Sequence, residues 1–119
     1  MANLQVQVVT RTDGPVVVSL IGQADIAGAS VLERQLTFLS ASHPKFVVFD
    51  MSELAFISSL AMGTLMQFRR GSQSWGGTIA LAAAQPAVAG MFKHAALDKL
   101  LPMMDSVESA LALSHAAAR

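Results

Sequence analysis

Two adjacent serines, Ser58 and Ser59, follow an apolar run and open a second apolar segment whose spacing is typical of a helix. At a helix start the first backbone N–H groups lack partners, and these groups together with the helix dipole favour negative charge. A serine hydroxyl in this position therefore has two predicted roles: it caps the helix, or it accepts a phosphate. The residues alone leave both roles open.

The other polar residues give little support to an enzyme or a metal centre. His43, His94 and His115 lie far apart in dissimilar segments, and the chain has no cysteine, so a zinc site is not indicated. Asp50 follows the apolar run 46–49, where a turn carboxylate is the simplest interpretation. No Ser-His-Asp order, glycine-rich phosphate loop or paired-carboxylate cleft is evident. We therefore expect a binding protein with no catalytic residue, cofactor or metal.

The composition is typical of one globular domain. The chain has 119 residues, of which 53% are hydrophobic and 13% charged, and its formal net charge is zero. The length predicts a single domain over residues 1–119. Balanced, scattered charge argues against direct contact with nucleic acid. No apolar run could span a bilayer and no signal peptide is evident, so we expect a cytoplasmic protein without membrane insertion.

Strand and helix patterns alternate along the chain. Strands are predicted over residues 4–9, 16–21, 46–49 and 78–81, with a last short strand between 100 and 103. Helices are predicted over about 29–40 and 59–74, from Pro86 onward, and from a capping box at Asp105 and Glu108 through Leu113. The run Asp13-Gly14-Pro15 predicts a hairpin turn, and Gly22 is expected to end the second strand.

A hairpin followed by strand–helix units predicts an α/β domain. The continuously apolar run 46–49 is typical of a strand that is buried on both faces of a parallel sheet. We therefore expect a mixed, mostly parallel sheet that begins with an antiparallel hairpin and carries about four helices.

This order of elements, with the residues in it, resembles the STAS family, named for sulfate transporters and anti-sigma factor antagonists. The resemblance covers nearly the whole chain and depends on four segments at element junctions. They are Gly22-Gln23-Ala24-Asp25, Phe49-Asp50-Met51-Ser52, Phe56-Ile57-Ser58-Ser59-Leu60-Ala61-Met62-Gly63, and the stretch from Pro86 to Leu100. It implies a single STAS-like domain.

The resemblance also implies a site at the second helix. In the antagonist branch this helix typically opens Asp-Ser-Ser-Gly or Asp-Ser-Thr-Gly, and a partner kinase phosphorylates the first hydroxyl residue. Carried over, Ser59 falls on the phosphate acceptor and Gly63 on a later family glycine. The chain departs from the pattern at three positions, with Ser58 in place of the Asp, Leu60 in place of the second hydroxyl residue and Ala61 in place of the Gly.

The residues implied to contact a partner lie in the loop after the second strand and at the helix start. They are Asp25, Ser58, Ser59, Leu60 and Met62. Two of them have an equally simple structural explanation. Asp25 suits a helix cap or a turn, and Met62 suits the core.

The resemblance implies an anti-sigma factor antagonist. Such a protein would bind an anti-sigma factor that is also a serine kinase and release it once Ser59 is phosphorylated, with a serine phosphatase as a further partner. The alternative is an unmodified adaptor or scaffold subunit of a signalling or lipid-transport complex, in which the serines are caps only. A small-molecule or nucleotide-binding module is a third hypothesis, based on the loop after Gly22 and the helix start.

Overall fold

The computed structural model of the chain describes residues 3–12 and 14–117. Its strands are β1 (Leu4–Thr10), β2 (Val16–Ala24), β3 (Phe46–Ile57), β4 (Thr78–Ala82) and β5 (Met103–Met104). Its α-helices are α1 (Ile26–Ser40), α2 (Ser59–Gln73), α3 (Pro86–His94) and α4 (Val107–Ala117). The predicted order of strands and helices is confirmed, and Pro86 occupies the first turn of α3 as expected.

The five strands form one sheet in the order β1-β2-β3-β4-β5. Strand β1 pairs antiparallel with β2, and every later pair is parallel. The expected fold class, a mixed and mostly parallel sheet begun by an antiparallel pair, is therefore confirmed. Each parallel neighbour is reached through one helix, and right-handed crossovers in a constant direction place those helices on one face of the sheet.

The core has two parts, one on each face of the sheet. Val47 and Phe49 of β3 point into the larger part, which α1, α2 and α3 cover. Phe46 and Val48 point the other way, into a smaller cluster closed by Ala110 of α4. Because successive strand residues face opposite sides, a continuously apolar strand is buried on both. The expectation of a buried central strand at 46–49 is confirmed.

Strand β2 does not end at Gly22 but continues to Ala24. Gly22 has φ +106°, and a Cβ atom built there would lie 2.1 Å from the backbone oxygen of Asn3. The glycine therefore marks a close approach of two strands, not a strand end.

Strand β3 is much longer than expected, because it passes Asp50 and runs to Ile57. Its second half buries Met51, Leu54 and Ile57, a spacing of three that does not read as a strand. Two register shifts against β2 explain the spacing, since β3 has one extra residue at each. Such bulges let a strand keep pairing while its side chains change face.

The ends of two other elements also differ from expectation. Helix α1 begins at Ile26, not near Ala29, because Asp25 caps it. The last strand is Met103–Met104, and the residues before it form a 3₁₀ helix at Leu97–Lys99. Asp13, part of the predicted hairpin turn, lies outside the described residues.

The predicted capping box at Asp105 and Glu108 is wrong. The hydroxyl oxygen of Ser106 accepts a hydrogen bond from Ser109 N at 3.0 Å, so Ser106 caps α4. The helix continues to Ala117. Serine and aspartate cap helices about equally well, so the sequence alone does not distinguish Asp105 from Ser106 as the cap.

Candidate functional site

Helices α1 and α2 begin side by side, at the carboxyl ends of the neighbouring strands β2 and β3. The N–H of Ser58 donates to the backbone oxygen of Ala24 at 2.8 Å, which joins the start of α2 to the end of β2. Both helices therefore direct the positive ends of their dipoles, and their first unpaired N–H groups, to the same end of the molecule.

Each of these two helices has its own side-chain cap. Asp25 Oδ1 accepts a hydrogen bond from Gly28 N at 2.8 Å, and Ser58 Oγ accepts one from Ala61 N at 3.1 Å. Both capping residues have extended backbones, as N-cap residues do. Gly28 suits the first turn of α1, since a Cβ there would lie 2.8 Å from the backbone oxygen of Gln23.

Ser59 is the first residue of α2 and is exposed to solvent. Among the described residues its hydroxyl makes no hydrogen bond, because Ser58 supplies the cap. The first turn of α2 contains no acidic side chain. The two predicted roles, cap and phosphate acceptor, thus fall on different residues: Ser58 has the first, and the geometry leaves Ser59 accessible for the second.

Three exposed apolar side chains lie at this end of the molecule and form what we call the apolar rim: Ile26, Phe56 and Leu60. Their exposed fractions are 73%, 40% and 56%. They come from the first turn of α1, the end of β3 and the first turn of α2. Large exposed apolar groups in one region are a common mark of a protein-binding surface.

Met62 and Gly63, in the same turn of α2, face opposite environments. Met62 is only 6% exposed and packs in the main core, so its geometry fits core packing and not a partner contact. Gly63 is exposed, and a Cβ built on it would meet nothing within 4 Å. Gly63 lies four residues after Ser59 and so shares its helix face. The bare backbone beside Ser59 permits another chain to approach closely.

Asp50 was expected to be a turn carboxylate after the strand, but it lies within β3. Its Oδ1 accepts a hydrogen bond from Ser52 N at 3.0 Å, at the first register shift. The backbone oxygen of Ser52 in turn accepts a hydrogen bond from the Gln85 side chain at 3.0 Å. Asp50 therefore shapes the bulge that extends β3 toward the site.

Of the residues predicted to contact a partner, the structure brings Asp25, Ser58, Ser59 and Leu60 to one end of the molecule and places Met62 in the core. Sequence reasoning missed Ile26 and Phe56. Ile26 was missed because α1 was expected to begin near Ala29, three residues after its observed start. Phe56 had no such signal, since its exposure follows from the second register shift in β3.

His43 and His94 lie in different parts of the fold, and the side chain of His115 lies outside the described residues. The ring of His43 stacks on Trp75 with centroids 4.8 Å apart, and His94 lies at the end of α3. No group of three or more His, Asp or Glu side chains within residues 3–12 and 14–114 could hold a metal ion. In that part of the chain, no helix is both long enough and apolar enough to cross a membrane.

The family model of the STAS domain matches residues 6–110 of the chain. Among solved structures, an anti-sigma factor antagonist from Mycobacterium paratuberculosis is 26% identical and superposes with a TM-score of 0.84 over 92% of each chain. The anti-sigma factor antagonist SpoIIAA in its unphosphorylated form is 20% identical, with a TM-score of 0.79 over 94% of this chain and 97% of that one. The phosphorylated form of Bacillus SpoIIAA is 18% identical, with a TM-score of 0.72 over 92% and 99%.

Proposed function

The chain belongs to the STAS domain family, and we propose that it is an anti-sigma factor antagonist that binds its partner through the surface around Ser59. The main support is that Ser59 is exposed at the start of α2, next to the apolar rim, while Ser58 provides the cap. The general kind of function is supported by the Mycobacterium paratuberculosis antagonist, which shares the fold over nearly its full length.

Binding would bury the apolar rim against an anti-sigma factor. Leu60 is adjacent to Ser59 in the first turn of α2, so a partner that covers this side chain also covers the serine hydroxyl. Gly63 lies on the same helix face and leaves room for the partner backbone. Water would then be excluded from the interface around the serine, and a charge introduced there would weaken binding.

Phosphorylation of Ser59 would dissociate this complex without unfolding the domain. A phosphate adds about −1.5 to −2 charges at neutral pH. In the free protein the start of α2 tolerates that charge, because the helix dipole and the N–H groups of its first turn face it. In the complex the same charge would be buried without a partner, which costs several kcal/mol. The anti-sigma factor would itself be the serine kinase, and a serine phosphatase would restore binding.

The two SpoIIAA structures support the compatibility of this fold with modification. SpoIIAA has been solved both unphosphorylated and phosphorylated, and both forms share their architecture with this chain. The chain itself would have no enzymatic role. It would act in the cytoplasm, as a single domain, as the substrate of its partner.

The alternative function is an adaptor or scaffold subunit that binds a partner constantly and is never modified. The sequence at the helix start favours it, because Ser58, Leu60 and Ala61 replace the Asp, the second hydroxyl residue and the Gly of the family pattern. Ala61 is fully buried, so its methyl group fills the core and does not obstruct a partner. The apolar rim would serve this function equally well.

A pair of charge variants separates the two functions. We expect Ser59→Asp to weaken binding to the cognate kinase-type anti-sigma factor by at least tenfold, with unchanged urea unfolding. Gln73→Asp is the matched control, because it places the same charge on an exposed residue at the opposite end of α2. Incubation of the wild type with that kinase and ATP should add one phosphate, at Ser59, by mass spectrometry. Equal binding by wild type and Ser59→Asp, with no phosphate added, would decide for the adaptor.

A further inference from the structure

Strand β1 is an edge of the sheet and, within the part of the chain that the structure describes, lacks the usual protection of an edge. Its sequence, Leu-Gln-Val-Gln-Val-Val-Thr, contains no charged residue and no proline over seven positions. Val8 and Val9 are 41% and 60% exposed. Edge strands of soluble proteins are usually short, charged, bulged or covered, since their free N–H and C=O groups otherwise pair with another chain.

The register with β2 tells which groups of β1 point outward. Gln23 N donates to the oxygen of Asn3, and Arg11 N donates to the oxygen of Pro15. In an antiparallel ladder the residues that bond to the neighbour alternate along the strand. The odd-numbered residues of β1 therefore bond to β2. The even-numbered ones direct their N–H and C=O groups to the free edge: Leu4, Val6, Val8 and Thr10.

We propose that the free edge of β1 binds the β1 edge of a second copy of this chain, antiparallel and around a two-fold axis at Gln7. In this register Leu4 faces the partner's Thr10 and Val6 faces the partner's Val8. All four outward-facing residues then form hydrogen-bonded pairs, and their eight backbone groups are satisfied. The two five-stranded sheets become one continuous sheet.

The side chains match in the same register. On the face that carries α1, Val6 meets the partner's Val8, so the exposed valine is covered by an apolar side chain. On the other face, Gln7 meets the partner's Gln7 at the axis, and Gln5 meets the partner's Val9. No charge opposes a like charge anywhere in the strand pair, because β1 has none. The complementarity of the strand with itself favours a second copy over an unrelated peptide.

Cysteine crosslinking tests both the contact and its register, since the natural chain has no cysteine. At the axis, Gln7 and the partner's Gln7 form a non-hydrogen-bonded pair with Cα atoms about 4.5 Å apart, within the range for a disulfide. Gln5 and the partner's Gln5 are displaced by four residues, about 13 Å along the strand. We expect Gln7→Cys to form a covalent dimer in a glutathione redox buffer and Gln5→Cys to remain monomeric on a non-reducing gel.

Sedimentation equilibrium of the full chain, from micromolar to millimolar concentration, tests the contact without crosslinking. We expect a reversible monomer–dimer equilibrium in which Gln7→Lys raises the dissociation constant severalfold, because it opposes two like charges at the axis. Gln5→Lys, the matched control on the same strand face, should leave it nearly unchanged. A monomer at every concentration, equal crosslinking of the two cysteine variants, or equal effects of the two lysines would overturn the proposal. None of these results bears on the function of Ser59, which lies at the start of α2 and not on the β1 edge.

Discussion

Replacing Ser58 with alanine should destabilise the fold, whereas the same change at Ser59 should not. The Ser58 hydroxyl accepts a hydrogen bond from Ala61 N at 3.1 Å, and Ala61 is fully buried. Loss of an N-cap hydroxyl costs about 0.5–2 kcal/mol, and an unpaired buried N–H costs about 1–3 kcal/mol. We therefore expect Ser58→Ala to lower the free energy of unfolding by about 1–2 kcal/mol. Ser59 is exposed at the first helical position, where alanine changes stability by a few tenths of a kcal/mol.

Urea unfolding followed by circular dichroism measures the difference. With a slope of about 2 kcal/mol per molar urea, the Ser58→Ala midpoint should fall by about 0.5–1 M. Ser58→Asp is the control, because aspartate caps as well as serine and gains a favourable interaction with the helix dipole; its midpoint should equal or exceed that of the wild type. A cost at Ser59→Ala as large as at Ser58→Ala, or a cost at Ser58→Asp, would refute the assignment of the cap.

The glycines provide two further tests. Gly63→Ala and Gly71→Ala both place a methyl group of α2 in open space, so each should stabilise the protein by up to about 1 kcal/mol in urea unfolding. Only Gly63→Ala should weaken partner binding by titration calorimetry, since Gly63 shares the helix face of Ser59; equal affinities for both variants would refute a close approach there. Gly22→Ala should cost at least about 2 kcal/mol, because φ is +106° and the new Cβ would lie 2.1 Å from the oxygen of Asn3. A wild-type melting temperature for Gly22→Ala would contradict that assignment.

An element can be predicted from the sequence when its buried residues recur at the regular spacing of a helix or a strand. Helix α2 could be predicted to within a residue, because its apolar positions keep one period and Gly76 ends the loop after it with φ +76°. Strand β3 could not, because two extra residues shift its buried positions to every third place. A bulge depends on the partner strand, and the sequence of β3 alone contains no information about that register.

Some features of the candidate site are local and could be predicted, whereas others depend on the whole fold. That Ser58 or Ser59 begins a helix is a local property, and the sequence predicts it. Which hydroxyl turns inward to cap depends on the position of β2, since Ser58 N is held by the oxygen of Ala24. The apolar rim is assembled from three elements and depends on the whole fold. Met62 suited both a partner contact and the core from its sequence position. Only the orientation of α2 against the sheet shows that it packs in the core.

The substitution of Ser58 for the family aspartate has a specific consequence for the proposed switch. Serine and aspartate cap helices about equally well, so the start of α2 keeps its geometry while one negative charge beside Ser59 disappears. A partner that docks on the apolar rim then meets no charged side chain in the first turn of α2 in the unmodified state. The phosphate would be the first charge in that turn, and its full −1.5 to −2 charges would oppose docking. Because the cap and the acceptor are separate hydroxyls, phosphorylation of Ser59 leaves the hydrogen bond from Ala61 N in place. The switch can therefore act on binding affinity while the free energy of unfolding stays nearly constant.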